Sequence, residues 1–248
     1  INHAEDNCLV NNGLMHEGDM STKLGLTGNP DISESTMVHR DLSIAEYVKG
    51  RLHIPHVSSY KSLEAIKAFR KKGLNVTAEV TPHHLSLTDE ILNNYDTNAK
   101  VAPPIRSLKD RKALIRGLKS GLIDCIATDH APHSIQDKER DFKNASCGMI
   151  GLESAFGLVN KILTKENFTI NEIINLFTFN PSRVINIAPN LIEEGNIAEL
   201  NVINPIHEWV FNKEWIQSKS QNSPIVGEKM LGKVFLTINK GYILNHKS

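Results

Sequence analysis

Three side chains that could bind a divalent cation lie far apart in the 248-residue sequence, namely His3, His56 and Asp129. Each stands where a short extended segment is predicted to end. Neutral imidazole nitrogens and a carboxylate are ligands that suit Zn²⁺ or another borderline divalent ion. For any one histidine, an ordinary hydrogen-bonded position in a loop is the alternative, whereas the three positions together favour a metal site.

The densest local signal is the segment Ala127-Thr128-Asp129-His130-Ala131-Pro132-His133. Asp129 leaves an apolar run here, at a point where its carboxylate can bind a metal or transfer a proton. Pro132 stiffens the loop and directs His133 back over the same pocket. The alternative makes Asp129 a helix N-cap and the histidines surface residues, but a proline three residues later makes a regular helix less natural.

Predicted strands and helices alternate in the middle of the chain and position these residues. Extended segments are predicted at 51–58, 75–80 and 124–128, and amphipathic helices at 61–72 and 107–119. This alternation is typical of an α/β fold with a parallel sheet and crossover helices. Such folds, including the (β/α)₈ barrel, place their active sites at the carboxyl ends of the strands. The spacing alone does not decide between a barrel and an open sheet.

The pattern changes after about residue 187. Residues 191–203 are typical of a turn followed by a strand, and residues 233–244 are typical of a hairpin. We therefore predict an α/β domain over residues 1–187 and a small β-rich domain over residues 188–248.

The composition argues against several partners and sites. Lys and Arg total 28 and Asp and Glu also total 28, so no net charge attracts nucleic acid or an anionic membrane. No apolar stretch approaches the roughly 20 residues that span a bilayer, and the first residues do not resemble a signal peptide. Three widely spaced cysteines form neither a disulfide framework nor a CxxC clamp. A cytoplasmic protein is the simple interpretation.

The beginning of the sequence places candidate chemistry unusually early. The first residue is Ile1 rather than methionine, and a histidine and an acid follow at His3 and Glu5. Because the first residues of a domain tend to fray, we interpret the sequence as a fragment that lacks the first part of its active site. We expect such a fragment to be inactive alone.

The segment from Ala127 to His133, followed by Lys138, resembles the second signature of dihydroorotases, within the amidohydrolase superfamily. The resemblance extends over nearly the whole chain. The segments similar to the ends of the family's fifth, sixth and seventh barrel strands are His3–Asn7, His53–Ser59 and Thr77–Leu85, and residues 103–106, 124–127 and 218–224 are similar as well. It implies a (β/α)₈ TIM-type barrel, of which only the later strands are present, followed by a small β-sandwich domain.

The resemblance also implies a metal site with one or two zinc ions. His3 and His56 would bind one zinc, and Asp129 would bind the other, or the only one in single-zinc members. His53 precedes His56 by three residues, and we favour His56 because it adjoins Val57 at the strand end. The family's His-x-His-x-Arg segment, and its Lys or Asp from the fourth strand, are absent from this sequence.

Substrate contacts are implied at three further positions. His133 would contact the carboxylate of the substrate, and the backbone near Gly148 would help to hold its ring. Many family members have asparagine where this chain has Ala102. An alanine cannot make the hydrogen bond of that asparagine, so this departure bears on substrate affinity or identity.

The activity implied is the reversible interconversion of N-carbamoyl-L-aspartate and dihydroorotate in pyrimidine synthesis. Zinc would activate water for attack on the cyclic amide, and Asp129 would pass a proton to the leaving ring nitrogen. The resemblance further implies a homo-oligomer, with aspartate transcarbamoylase as a candidate partner. Two alternatives stay open: a hydantoinase- or allantoinase-like amidohydrolase, and a non-catalytic homologue that serves as a structural partner.

Overall fold

The computed structural model describes residues 1–245 of the chain. The α-helices in this range are α1 (Asn7–Val10), α2 (Asp19–Leu24), α3 (Ile32–Val48), α4 (Tyr60–Lys71), α5 (Pro82–Ser86), α6 (Leu108–Lys119), α7 (Ile135–Lys138), α8 (Ala155–Lys165), α9 (Ile170–Phe177) and α10 (Phe179–Val184). The strands are β1 (Met15–His16), β2 (Gly28–Asn29), β3 (Leu52–Ile54), β4 (Val76–Val80), β5 (Cys125–Ile126), β6 (Glu199–Val210), β7 (Lys229–Asn239) and β8 (Tyr242–Asn245). Short 3₁₀ segments span Asp89–Asn94, Thr97–Ala99 and Lys213–Trp215.

A parallel sheet in the order β3–β4–β5 forms the centre of the α/β part. Leu52 of β3 pairs with Val76 of β4, and Glu79 of β4 pairs with Cys125 of β5. Helix α4 connects β3 to β4, and helix α6 lies between β4 and β5 along the chain. The prediction of a parallel sheet with crossover helices is therefore confirmed. Within residues 1–245 these strands form an open sheet rather than a closed barrel.

Helix α4 covers this sheet with a stripe of apolar side chains. The Ser59 hydroxyl accepts a hydrogen bond from the Ser62 N–H and so caps the first turn. Leu63, Ile66 and Phe69 are buried at the helical spacing of three residues. The helix ends just before Gly73, which has a φ of +88°.

Strand β4 separates the apolar core from a polar face. Val76, Ala78 and Val80 are buried in the main hydrophobic cluster, together with residues of α4 and α6. The alternation of a strand turns Thr77 and Glu79 to the opposite face, where both are only partly buried. One face of the sheet thus packs against its helices, and the other face carries side chains that can form hydrogen bonds.

The second sheet is antiparallel, in the order β6–β7–β8. The predicted hairpin is confirmed, because β7 pairs with β8 across a turn at Lys240 and Gly241. Phe211 and Met230 from this region belong to the main hydrophobic cluster, so the β-rich part shares its core with the α/β part. The domain boundary at residue 187 stays a prediction, and residues 246–248 of the second predicted domain lie outside the described range.

Among residues 1–245, no helix combines the length and the apolarity that crossing a bilayer requires.

Candidate active site

The structure brings His3 and His56 together beyond the carboxyl end of β3. His3 Nδ1 and His56 Nε2 are 3.1 Å apart, and the two rings meet edge to face with centroids 4.9 Å apart. His56 lies two residues past β3 and has a φ of +34°, which is uncommon for a residue with a side chain. Two imidazole nitrogens separated by 53 residues of chain are therefore directed at each other.

Glu5 fixes the orientation of His3. Its Oε2 lies 3.2 Å from His3 Nε2, and its Oε1 accepts a hydrogen bond of 2.6 Å from Asn29 Nδ2. His3 Nε2 therefore carries the proton, which leaves the Nδ1 lone pair facing His56. A carboxylate behind the far nitrogen is the usual support of a metal-binding histidine. Sequence reasoning gave Glu5 no role, although a spacing of two residues in an extended segment places both side chains on one side.

These contacts also set the protonation of the pair. The hydrogen bond to Glu5 raises the pKa of His3 above its ordinary value. Burial, helped by the neighbouring His3, lowers the pKa of His56. Burial opposes the ionisation of Glu5, but its hydrogen bonds from His3 and Asn29 outweigh that effect and hold its pKa below the ordinary value. The His3–Glu5 contact thus raises one pKa and lowers the other, while the lowered pKa of His56 favours the neutral form that binds metals.

Asp129 lies three residues past β5, on the same edge of the sheet. Its charge acts on both histidines, because it contributes to raising the pKa of His3 and opposes the lowering of the pKa of His56. Its φ of +48° is a sparsely populated conformation that is enriched at functional sites. Even so, no group of three or more His, Cys, Asp and Glu side chains in residues 1–245 is arranged to hold a metal ion. Asp129 is a neighbour of the histidine pair, not a third ligand in place.

A buried carboxylate on α3 holds the loop that follows His56. Glu34 accepts hydrogen bonds of 3.1 Å from the N–H groups of Ser58 and Ser59, and a further one from the Ser58 hydroxyl. Arg106 donates from Nε to Ser58 Oγ at 3.0 Å and lies 3.8 Å from Glu34. Because buried polar groups are costly unless they are paired, this network gives the loop a single position.

His53, the other histidine of β3, is engaged inside the sheet. Its Nδ1 lies 2.8 Å from Thr77 Oγ1, and its Nε2 lies 3.0 Å from Glu79 Oε2. The ring is 8% exposed. Both nitrogens of His53 are therefore occupied by the polar face of the sheet, whereas His56 meets His3.

Two loops carry the other predicted residues, and the structure packs them against each other. In the loop 129–133, the His133 Nε2 lies 2.8 Å from the Cys147 carbonyl oxygen and donates to it. In the loop 146–148, Gly148 has a φ of +134°, and a Cβ built on it would lie 2.7 Å from His133 Nε2. Only glycine permits this approach of the two loops.

The N–H and the carbonyl of Gly148 both form hydrogen bonds within the protein. Its N–H donates to the Lys100 carbonyl at 2.8 Å, and its carbonyl accepts from Lys138 Nζ at 2.9 Å and Asn222 Nδ2 at 3.2 Å. The N–H of Gly148 itself is therefore not free for a ligand. Ala102 lies two residues beyond Lys100, so its segment runs beside loop 146–148.

Asn222, which sequence reasoning did not single out, joins the two loops. Its Oδ1 accepts from the His133 N–H at 3.1 Å, and its Nδ2 donates to the Ala131 carbonyl at 3.0 Å and to the Gly148 carbonyl. The side chain is 5% exposed. Asn222 belongs to the segment between Trp215 and β7, so the β-rich part of the chain helps to position loops of the α/β part.

The sequence of this chain is similar to those of known proteins. A model described as "Amidohydrolase family" matches residues 39–243. The chain is 43% identical over 244 residues to a dihydroorotase of Thermoanaerobacter sp. (strain X514), and 42% identical over 244 residues to one of Syntrophus aciditrophicus (strain SB). These matches cover 98% of this chain but 56% and 57% of the relatives, so the chain spans a little over half their length.

Solved structures share the fold at lower identity. An L-hydantoinase (dihydropyrimidinase) from Arthrobacter aurescens superposes with a TM-score of 0.86 at 23% identity, over 99% of this chain and 56% of that one. A dihydropyrimidinase from Brevibacillus agri NCHU1002 gives 0.85 at 20% identity, over 97% and 55%. These likenesses concern the fold alone. Because the family match covers most of its residues, the chain belongs to the amidohydrolase family.

Proposed function

We propose that this protein is a zinc-dependent cyclic amidohydrolase, a dihydroorotase that interconverts N-carbamoyl-L-aspartate and dihydroorotate reversibly. The observation that carries the proposal is the 3.1 Å approach of His3 Nδ1 to His56 Nε2, beside Asp129. The dihydroorotases that resemble the chain over 98% of its length support the choice of substrate.

The residues present fit a zinc ion. Zinc–nitrogen bonds are about 2.0–2.1 Å long, so two nitrogens 3.1 Å apart can both reach one ion. Glu5 already supports His3 from behind, and the carboxylate of Asp129 would bind a second zinc, or the same one in a single-zinc site. Zn²⁺, when bound, supplies a Lewis acid that polarises a carbonyl and lowers the pKa of water.

Asp129 has the proton-transfer role in this proposal. A carboxylate at the edge of the sheet can take a proton from the attacking water and give it to the ring nitrogen that leaves. Asp129 follows β5 by three residues with a φ of +48°, a strained conformation of the kind that clusters at functional sites, which supports this role.

His133 has the role of binding the substrate carboxylate. Because its Nε2–H is donated to the Cys147 carbonyl, the ring orientation is fixed. That hydrogen bond leaves Nδ1 as the ring nitrogen that can contact the substrate. Gly148 keeps the facing loop close, and the small side chain of Ala102 leaves space without offering a hydrogen bond.

The finer predictions of the fold and assembly are part of the same proposal. We propose that the parallel sheet belongs to a (β/α)₈ barrel and that the β-rich part after residue 187 is a small separate domain. Zinc number, a homo-oligomer, an association with aspartate transcarbamoylase and a place in pyrimidine synthesis are carried over from the resemblance. The cytoplasmic location is carried over from the composition.

A hydantoinase-like activity is the second candidate, because the solved structures with TM-scores of 0.86 and 0.85 are a hydantoinase and a dihydropyrimidinase. Ring opening of dihydroorotate, hydantoin and allantoin by the zinc-loaded full-length protein, with the chelated protein as control, separates the candidates. We expect dihydroorotate to be the preferred substrate. Preference for a neutral ring would favour the second candidate, and no turnover in a zinc-replete sample would favour a non-catalytic homologue.

A further inference from the structure

The ring of His130, the residue that follows Asp129, is held by hydrogen bonds at both nitrogens. His130 Nδ1 accepts from the N–H groups of Gly151 and Leu152, at 3.1 Å and 3.3 Å. A neutral imidazole that accepts at one nitrogen carries its proton on the other, so Nε2–H is the donor toward Ser218 Oγ, which lies 3.1 Å away. The two backbone N–H groups therefore fix the tautomer of His130 and direct its Nε2–H at Ser218.

Ser218 connects His130 to a carboxylate. Its hydroxyl donates to Glu153 Oε1 at 2.5 Å. The same oxygen accepts from the N–H groups of Ser218 and Gln217, at 2.8 Å and 3.1 Å. Burial opposes the ionisation of Glu153, but the hydrogen bond from the Ser218 hydroxyl, helped by those from the backbone, holds its pKa below the ordinary value. Glu153 is therefore a charged acceptor, and the hydrogen bonds run in one direction from His130 through Ser218 to Glu153.

Asp129 has no such support for its own side chain. It is exposed, and its carboxylate forms no hydrogen bond or ion pair with any group in residues 1–245. Its φ of +48° is nevertheless a strained conformation, and strain of this kind persists only where the surrounding structure imposes it. The orientation of Asp129 is therefore imposed through its neighbours in the chain.

The residues on both sides of Asp129 are held in place. On one side, a Cβ built on Gly151 would lie 3.0 Å from the Thr128 carbonyl oxygen, so the two backbones are in close contact. On the other side, the His130 ring is bonded to the same stretch of chain and, through Ser218, to the segment that leads to β7. Because peptide units are rigid, fixing both neighbours leaves Asp129 little freedom to rotate.

We propose that His130, Ser218 and Glu153 are positioning residues that hold the Asp129 carboxylate in the orientation that proton transfer requires. The inference rests on the proposed function, because it explains how the residue with the proton-transfer role keeps a strained conformation. The competing role is purely structural, in which the same hydrogen bonds only join the β-rich part of the chain to the α/β part. A purely structural role would lower the free energy of unfolding without a specific effect on Asp129.

A set of serine variants separates the two roles. Ser218→Ala removes the central hydroxyl and leaves the backbone contacts of His130 in place, whereas Ser218→Thr keeps a hydroxyl at this position. Ser220→Ala is the matched control, because Ser220 is a partly buried serine of the same segment and lies outside this chain of hydrogen bonds. Each variant is made in the zinc-loaded full-length protein, with and without Asp129→Asn, and kcat and KM for dihydroorotate are measured.

We expect Ser218→Ala to lower kcat by roughly 10- to 100-fold with KM little changed. Ser218→Thr should recover most of that loss, and Ser220→Ala should leave kcat unchanged. In the Asp129→Asn protein, Ser218→Ala should lower kcat no further, because a residue that acts through Asp129 has no carboxylate left to position. Equal fold losses with and without Asp129→Asn, or an unchanged kcat in Ser218→Ala, would overturn the inference.

Crystal structures of the zinc-free full-length protein and of its Ser218→Ala variant give a readout that does not depend on turnover. We expect Asp129 to leave its φ of +48° in the variant, and an Asp129 that keeps this conformation would overturn the inference. If Ser218→Ala does not fold, Glu153→Gln, which weakens the same chain of hydrogen bonds and keeps the serine, replaces it in every measurement. Absence of dihydroorotate turnover in the unmodified protein contradicts the proposed function alone, and the crystal structures then decide the inference.

Discussion

Replacing Gly148 with alanine tests the close approach of the two candidate substrate loops. The new methyl group would lie 2.7 Å from both His133 Nε2 and Ala131 Cβ. Neither neighbour can yield easily, because His133 is bound to the Cys147 carbonyl and the Ala131 methyl is attached directly to the backbone. The φ of +134° adds strain in a region that side-chain-bearing residues rarely adopt.

The expected loss of stability is the sum of the backbone strain and the steric clash. A residue forced into a sparsely populated conformation costs about 1–3 kcal/mol. Overpacking by one methyl group costs about 1–3 kcal/mol more. We therefore expect Gly148→Ala to lower the free energy of unfolding by about 2–6 kcal/mol. Displacement of His133 should also weaken the binding of dihydroorotate.

A second glycine provides the control. Gly73 has a φ of +88°, but a Cβ built on it meets nothing within 4 Å. The variant Gly73→Ala therefore carries the conformational term without the clash. Urea denaturation of both variants, with unchanged m-values, gives the difference in unfolding free energy. A difference smaller than about 0.5 kcal/mol, which is within the range of surface substitutions, would refute the packing argument.

Three further predictions concern single side chains. In the full-length protein, Asp129→Asn should reduce turnover of dihydroorotate by about 10²–10⁴-fold with an unchanged circular dichroism spectrum, and near-normal turnover would exclude the proton-transfer role. Asn222→Ala leaves the His133 N–H without its acceptor, so it should lower the free energy of unfolding in urea by about 1–3 kcal/mol and raise KM for dihydroorotate. Gln221→Ala, at an exposed neighbour, is the control. Equal KM values for the two variants would contradict the role of Asn222 in holding the two loops together. The pKa of Lys138 is about 8 in the folded protein against an ordinary value of 10.5, so the unfolded state holds more protons between those values and stability should rise with pH across that window. Urea midpoints from pH 7.5 to 10.5 test this against Lys138→Gln, which should lack that part of the rise; identical slopes would show that burial does not perturb the lysine.

Local sequence patterns were sufficient to predict the framework of the site. The apolar spacing of α4, the serine cap of α6 at Ser107 and the β-branched run of β4 each depend on neighbouring residues only. The pattern also predicted that His3 and His56 would lie together, and His3 Nδ1 is 3.1 Å from His56 Nε2. The predicted strand end at His3 is absent, because residues 1–6 form neither helix nor strand. Helix α3 was not predicted, since its buried face includes Glu34 and Asp41 and so interrupts the apolar periodicity.

The supporting hydrogen bonds could not be read from the sequence. Glu34 binds residues 24 and 25 positions away, and Asn222 binds a loop 89 positions earlier. No local propensity encodes such pairs, because they form only after the elements have packed. For the same reason, the sequence predicts that Asp129 lies near the histidines, but it does not predict whether the carboxylate is positioned to bind the same metal ion.

The central claim is that His3 and His56 bind one zinc ion beside Asp129. An anomalous difference map measured at the zinc absorption edge, from crystals of the zinc-loaded protein, tests it directly. We expect a zinc peak about 2.0–2.1 Å from both His3 Nδ1 and His56 Nε2. A map in which zinc binds elsewhere, or in which no peak lies between these two nitrogens, would contradict it.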